Sequence, residues 1–570
     1  MKFLPIVEWV SSYRKEFLRG DLAAGVTVGI MLIPQGMAYA LIAGLPPVYG
    51  LYASIVPQLI YAVFGTSRQL SVAPVAMDSL LVAAGVSLMA EEGTEAYIQL
   101  AILVAFLMGL FQLLLGVLRM GFITNLLSKP VISGFTSAAA LIIGINQLKY
   151  LLGIELTRSN RIYEVVWDAL RSLSDIHLLT FVLGLMGILV IKGAKRIHKS
   201  VPGALVAVAL GILATYYLSL NEAGVAIVRE IPEGLPAFVW PTLDWEQTKT
   251  VLPLAMTISV VAFMEAFSVS KAIEAKHSTY KVRPNQELIG LGAANFIGAL
   301  FQSYPVTGGF SRSAVNNEAG ANTPLSSVVS AFLIALTLLF LTPLFYYLPM
   351  AILASVIMVA VATLIDIGYV RKLWKQGKLE FWLLILTFLV TLNFSMVPGI
   401  VTGVVLSVLL LLYKSAYPHI ALLGRLKGQS EFRNIKRFKN LELWDDRLVL
   451  RIDAPLTFIN IQHIKEYLQT TLARNPSVKY ILLDASAISH LDASAIDGLT
   501  ELIGHLKEKD VELFLADVIG PVRDVLYKTG LLQLIGEAHI FLTLNDVIAH
   551  LDGIDNTERK EAALQHGEMD

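Results

Sequence analysis

A polytopic α-helical membrane domain followed by a small α/β domain is the fold class this sequence predicts, and three observations predict it. Of 570 residues, 55% are hydrophobic and only 16% are charged, a balance too apolar for a soluble chain of this length. As far as about Tyr417 the apolar residues fall in runs of bilayer-spanning length, whereas from Gly424 onward charges are spread through ordinary globular sequence. The runs also divide into two sets of seven with matching irregularities, which marks an inverted repeat. The expected divisions are 1–20 for the N-terminal segment and 21–417 for the membrane domain, with repeats at about 21–220 and 250–417. Residues 418–439 then form a basic linker, 440–553 the α/β domain and 554–570 a polar tail.

Composition excludes several classes of function. A net charge of −1 argues against nucleic acid as a partner, and zero cysteines remove disulfides, thiolate metal sites and CxxC redox chemistry. No HExxH, GxSxG or P-loop motif and no metal-spaced histidine cluster occurs. The reading is therefore of a protein that is not an enzyme and needs no cofactor or metal. The N-terminal WVSSYRKEFLRGD lacks a secretory h-region, so the first span is expected to be retained.

The first seven spans are expected at Leu22–Leu45, Val48–Thr66, Pro74 to about Met89, Tyr97–Val117, Pro130–Leu148, Leu178–Ile191 and Val201–Leu220. The second seven are expected at Val251–Lys271, Glu287–Phe301, Phe310 to about Asn322, Ser326–Tyr346, Met350–Ile367, Glu380–Phe394 and Pro398–Leu412. Short cytoplasmic loops should hold the basic residues. Arg14, Lys15, Arg19, Arg68, Arg119, Lys129, Lys192, Lys195, Arg196, Lys199, Lys276, Lys281, Arg283, Arg371, Lys372, Lys375, Lys378 and Lys414 all fall on one side. Both termini are accordingly expected in the cytoplasm, with the chain integral to a plasma or inner membrane. Glu91, Glu92 and Glu95 make an acidic loop opposite, and the loop 221–250 carries Glu222, Glu230, Glu233, Asp244 and Glu246.

Seven spans per half is an odd number, so the second half runs inverted to the first. Each half has a conspicuously short third span introduced by an extended, proline-containing stretch: Gln69-Leu-Ser-Val-Ala-Pro74 and Gln302-Ser-Tyr-Pro-Val-Thr-Gly-Gly309. One such proline would only suggest a kinked helix. Two at matching places suggest paired half-helices, whose unpaired N–H groups and positive dipole ends attract an anion.

These residues resemble a known family. Pro47-Val-Tyr-Gly-Leu-Tyr-Ala-Ser54, Gly65-Thr-Ser-Arg68 and Pro74-Val-Ala76 are similar to the signature of the sulfate permease family of anion transporters. Pro284-Asn-Gln-Glu-Leu-Ile-Gly-Leu-Gly292 and Ser303-Tyr-Pro-Val-Thr-Gly-Gly-Phe-Ser-Arg-Ser-Ala-Val-Asn316 resemble its plant-type members. The resemblance covers nearly the whole chain in order. It implies fourteen spans in two inverted repeats, a core and a gate domain, a cytoplasmic domain similar to anti-sigma-factor antagonists, and homodimers.

By the same resemblance the anion sits between the starts of the third and tenth spans, here Val75 and Ala76 facing Phe310, Ser311 and Arg312. The residue types agree: Ser311 donates a hydroxyl proton and Arg312 adds a permanent positive field. A structural ion pair is the rival role for Arg312, and a helix cap the rival role for Ser311. Gln35 and Tyr39, at i and i+4, share a face of the first span that the family places along the site; an interhelical hydrogen bond is the alternative for Gln35. Glu265 lies mid-span among Val260, Val261, Ala262 and Phe263, where a carboxylate is expensive unless protonated, paired or bound to a cation. Proton-coupled members of the family carry a glutamate there. The rival is a fixed pair with Arg312. Asp78 departs from the family pattern, in which an uncharged residue is usual, and so bears on coupling or selectivity. Asp366 reads as a solvated boundary residue.

In the soluble part, Arg447–Ile452, Tyr480–Asp484 and Val511–Ala516 read as strands, with helices near Ile461–Leu472, Ser494–Leu506 and Pro521–Thr529. Ser494 matches the place where the resembled antagonists are phosphorylated, although a simple helix cap explains it as well. Lys427 to Lys439 would touch anionic headgroups. The function expected is secondary active transport of a small inorganic anion, sulfate before others, by proton symport and alternating access. The alternatives are sodium-coupled transport of bicarbonate or another anion, and an uncoupled exchanger or channel.

Overall fold

The computed structural model describes residues 4–122, 128–154, 162–197, 203–277, 279–394 and 396–553. The chain divides into two compact units, Met1–Ser407 and Val408–Asp570. Lys199 and the polar tail expected at 554–570 lie outside the described residues.

Each of the fourteen expected spans is built around a helix. The first seven are Lys15–Ile42, Pro47–Tyr52 with Val56–Phe64, Ala76–Val86, Glu95–Val117, Lys129–Asn146, Leu178–Ile197 and Gly203–Tyr217. The second seven are Trp245–Glu274, Pro284–Ala299, Phe310–Glu318, Leu325–Leu336, Met350–Ala362, Lys378–Phe394 and Met396–Ala416. Among the described residues, eight helical stretches are long and apolar enough to cross a bilayer unaided. The third and tenth spans have only 11 and 9 helical residues, roughly 16 and 14 Å of rise, or half of a ~30 Å hydrocarbon core. The eleventh departs from its expected single helix: α-helix ends at Leu336, a π turn covers Thr337–Leu341 and a 3₁₀ turn covers Thr342–Phe345, with Pro343 supplying no amide to continue the ladder. Asp366 is exposed and caps a separate helix, Ile367–Gln376, accepting from the Tyr369 amide at 2.9 Å.

The helices sort by what they pack against. The first packs along the eleventh, and the ninth along the second and fourth, so the two repeats interlock. The fifth packs along the thirteenth, and the sixth and seventh against the twelfth. These are the core and gate groups that the family resemblance implies. Contacts between the groups run from the first span to the seventh and twelfth, and from the third to the fifth and twelfth. Lipid offers no hydrophobic drive for helices to associate, so close backbone approach carries the packing. A Cβ on Gly50 would lie 1.9 Å from the Gly36 carbonyl oxygen, and one on Gly109 would lie 2.3 Å from the Phe296 nitrogen. Only glycine fits at either place.

Two buried carboxylates fasten one repeat to the other. Asp21 of the first span accepts from the amides of Asn322 and Thr323 at 2.7 and 3.0 Å and from the Thr323 hydroxyl at 2.6 Å. Glu287 of the ninth accepts from the Tyr61 hydroxyl at 2.6 Å, from the Thr66 amide at 2.6 Å and hydroxyl at 2.5 Å, and from the Ser67 amide at 3.2 Å. Each carboxylate satisfies backbone of the opposite half, which would otherwise be buried without partners.

The second unit is built on a mixed sheet. Its strands run in the order Phe432–Asn434, Ile420–Leu426, Arg447–Ile452, Tyr480–Asp484, Glu512–Ala516 and Ile540–Phe541, and Leu441–Glu442 also pairs with Ile420–Leu426. The last three pairings are parallel, joined by Ile461–Arg474, Ala493–Glu508 and Gly520–Lys528 as crossovers. Side chains alternate: Leu450, Ile481 and Leu513 enter the core beneath those helices, while Val449, Leu482 and Phe514 pack on the other face with Val547 and Ile548. The stretch 418–439, expected as a basic linker, supplies two of the strands. Ala421 and Leu423 point to one face of the sheet and Ile420 and Leu422 to the other, an alternation that the nearby basic residues obscure.

Asp492 caps Ala493–Glu508, accepting from the Phe458 and Ala495 amides at 2.8 Å each. The Phe458 amide above all holds its carboxyl below the usual aspartate range. Because the folded value is depressed, the stabilisation is complete above the unfolded value of roughly 4 and is lost as pH falls through the folded value. Asp492→Ala is expected to cost about 1 kcal/mol. Faster amide exchange at the start of this helix in the full chain checks it, and the wild type should converge on the variant in acid.

Candidate functional site

The two breaks meet. Val72–Ala73 and Thr307–Gly308 form an antiparallel pair, Val72 opposite Gly308 and Ala73 opposite Thr307, and the Gly309 amide donates to Ser71 O at 3.1 Å. Neighbouring side chains complete the pairing of this buried, non-helical backbone. Asn295 accepts from the Val306 amide at 2.9 Å and donates to its carbonyl at 3.0 Å. The Thr307 hydroxyl donates to Ala262 O of the eighth span at 2.6 Å, and Ser313 accepts from the Ser71 amide at 2.9 Å. Asn316 donates to Gln69 O at 2.9 Å.

From this crossing the half-helices leave in their two directions. Their N-caps are Val75 and Gly309, and neither start is capped by a side chain, so the first-turn amides and the positive dipole ends are available to a ligand. Arg312 is 2% exposed. Its guanidinium donates to Pro74 O at 2.8 Å and to Ala73 O at 3.1 Å. It folds back over its own helix start so closely that a Cβ on Gly309 would lie 2.8 Å from Arg312 Cζ. No ion pair joins Arg312 to Glu265 among the described residues: the guanidinium instead fastens the first break to the second, and its Nε has no partner.

Around this point the structure gathers most of the residues singled out from the sequence. Val75 and Ala76 are buried at the third span's start, while Phe310 and Ser311 are exposed at the tenth's. Tyr39 is buried within electrostatic reach of Arg312 and Glu265. Gln35, a turn away on the same helix, is buried with Oε1 unpartnered. Glu265 lies within reach of both Arg312 and Asp78, and its Oε2 is buried and unpartnered. Asp78 is fully buried. Ser494 belongs to the second unit, exposed in the first turn of Ala493–Glu508.

Tyr304 was not anticipated. It is fully buried, its hydroxyl lies 3.2 Å from that of Ser79, and it is near Arg312 and Asp78. The available signal was its place inside the second extended stretch. Asn295, Thr307 and Ser313 were missed as the partners of broken backbone. A cavity of about 690 Å³ opens toward the far end of the third span, lined among others by Leu41 of the first span, Leu80, Ala83 and Ser87 of the third, Glu91 and Glu92 beyond it, and Asn146 at the end of the fifth. Ala76, Leu80, Ala83 and Ser87 follow helical spacing, so one face of the third half-helix leads from its start into this cavity.

The chain matches the sulfate permease family over residues 18–387 and the STAS domain over residues 438–547. It is 38% identical over 563 residues to sulfate transporter 4.1, chloroplastic, of Arabidopsis thaliana, across 95% of this chain and 82% of the relative. It is also 38% identical over 564 residues to probable sulfate transporter 4.2 of the same plant, across 95% and 83%. In fold it is similar to the murine Solute Carrier 26 family member A9 anion transporter in the inward-facing state, with a TM-score of 0.88, 24% identity, and 97% and 94% of the two chains covered.

Arg312→Leu leaves the Pro74 carbonyl without its donor, at about 1–3 kcal/mol, and leaves Ala73 only its strand pairing with Thr307. Amide exchange at Val72, Ala73, Thr307 and Gly308 should accelerate accordingly, whereas Ser311→Ala, which removes an exposed hydroxyl, should leave it unchanged. Equal protection in Arg312→Leu and wild type would show that Arg312 does not hold the crossing.

Proposed function

We propose that this chain, which belongs to the sulfate permease family and transports an anion across the membrane, carries sulfate in symport with protons by alternating access. The observation that carries the reading is the convergence of two uncapped half-helix starts on Arg312, with Glu265 within electrostatic reach of it. The relatives named as sulfate transporters support the choice of anion.

On this reading the anion lies between Val75 and Ala76 on one side and Phe310, Ser311 and Arg312 on the other, against the face of Gln35 and Tyr39. First-turn amides of both half-helices, the Ser311 hydroxyl and the guanidinium supply donors without a second full charge. The half-helices stand on interlocked core spans and move as one body against the gate, turning the site from one side of the membrane to the other. Both termini are cytoplasmic, in keeping with the basic loops, and the protein works as a homodimer.

Glu265 supplies the coupling. An arriving anion offsets the field of Arg312 and adds its own repulsion to Glu265, so proton uptake and anion binding favour each other. A protonated Glu265 then crosses with the loaded site, and both ligands leave on the far side.

Sulfate uptake into proteoliposomes, with and without an inward proton gradient and again with a sodium gradient, tests this directly. Wild type should concentrate sulfate under the proton gradient alone. Glu265→Gln imitates the protonated state and should retain sulfate exchange while losing gradient-driven accumulation. Uptake driven only by sodium would select a sodium-coupled transporter, and uptake indifferent to both gradients would select an exchanger.

A further inference from the structure

We propose that Asp78 carries a second proton with each sulfate, so that Asp78 and Glu265 act as a two-carboxyl proton carrier built on the third and eighth spans. The inference rests on the proton-coupled reading above and deepens it.

Asp78 is the third residue of the helix Ala76–Val86, 0% exposed, and neither of its carboxyl oxygens has a hydrogen-bond partner. Among the described residues no side chain donates to it and no cation pairs with it. Glu265 of the eighth span lies near it and brings a second carboxyl. Tyr304, in the second extended stretch, is also near, but its hydroxyl is engaged with the hydroxyl of Ser79. Arg312 of the tenth span spends its guanidinium on the Ala73 and Pro74 carbonyls, and Tyr39 of the first span lies toward Arg312 and Glu265. The third and eighth spans approach closely: a Cβ on Gly85 would lie 2.3 Å from Leu254.

An ionised carboxylate with no donor and no cation, sealed from water, is strongly disfavoured. Two neighbouring carboxylates cannot both be ionised cheaply. Asp78 therefore keeps its proton while it is enclosed, and gives it up only where the empty, returning site opens it to water. It also shares its half-helix with Ala76, whose first-turn amide faces the proposed anion. A divalent anion at that helix start adds repulsion to any charge on Asp78, so anion binding strengthens the hold on this proton as it does on the proton of Glu265. Each proton bonds from bulk water to a carboxylate oxygen on the entry side and returns to water on the exit side, with no other bond changed. Two protons balance the two charges of sulfate.

The test is the proton-to-sulfate ratio, read in proteoliposomes from the pH gradient at which net sulfate flux reverses against a known sulfate gradient, with the membrane voltage clamped and varied. Wild type should move two protons per sulfate and be insensitive to voltage. Asp78→Asn, nearly isosteric, should lose one proton per sulfate and become sensitive to voltage, carrying one net negative charge inward. Asp78→Glu keeps a carboxyl within a methylene of the original and should restore the ratio of two. An infrared difference spectrum of the intact protein, sulfate-bound minus sulfate-free, should contain a protonated-carboxyl C=O band that Asp78→Asn removes; it can be recorded even where a variant transports poorly. An unchanged ratio in Asp78→Asn, or a band indifferent to that substitution, overturns the proposal for Asp78 while proton coupling through Glu265 stands. Sulfate flux with no protons in wild type overturns both readings, and a ratio that tracks sodium instead replaces the proton pair with a cation site.

Discussion

Backbone that leaves helical geometry at membrane depth has no water to pair with, so each of its amides and carbonyls must find a partner inside the protein. Both breaks in this chain meet that demand at each other's expense. The pair Val72–Ala73 with Thr307–Gly308 satisfies part of it, and Asn295, Thr307, Ser313, Asn316 and Arg312 satisfy most of the rest. Left over are the first-turn amides of the two half-helices, which have no side-chain cap. The proposed anion site is thus what remains after the crossing has been made stable.

The same pairing decides what can move. Neither half-helix can shift without breaking hydrogen bonds to the opposite repeat, and the buried carboxylates of Asp21 and Glu287 add further bonds across the repeats. On the alternating-access reading proposed above, the crossing and the first, second, fourth, eighth, ninth and eleventh spans form the body that moves together. Among the described residues the main contacts to the other helices come from the first and third spans, and the proposed motion would slide there. Arg312 belongs to both aspects, holding the first break in position through two carbonyls and projecting positive charge toward the helix starts. Substituting lysine, a point charge on a flexible stem, would not reproduce this forked geometry.

Much of this was legible in the sequence, because length, hydropathy and the placing of Pro74 and Pro305 are properties of single segments. The paired breaks followed from comparing the halves, and Glu265 and Arg312 stood out as charges where charges are costly. The strand pair did not, since two residues on each side are too few for any periodicity. Asp21 and Glu287 lie at span ends beside polar residues, where a carboxylate looks solvated, and their partners are 301 and 226 residues away, at Asn322 and Tyr61. The expected alternative of an Arg312–Glu265 pair also turned on distance: guanidinium donors find carbonyls as readily as carboxylates, and only coordinates distinguish them. Ile420–Leu426 was hidden because its pairing partner, Arg447–Ile452, lies beyond a polar stretch that reads as linker.

The central claim is that the anion lies between the two half-helix starts, and selenate, a sulfate analogue with an anomalously scattering centre, tests it most directly. Crystals of the full chain grown with selenate should give one anomalous peak within hydrogen-bonding distance of the amides that follow Val75 and Gly309. That peak should disappear when sulfate is supplied in excess. A competed peak elsewhere in the membrane domain, with none between the helix starts, would contradict the account.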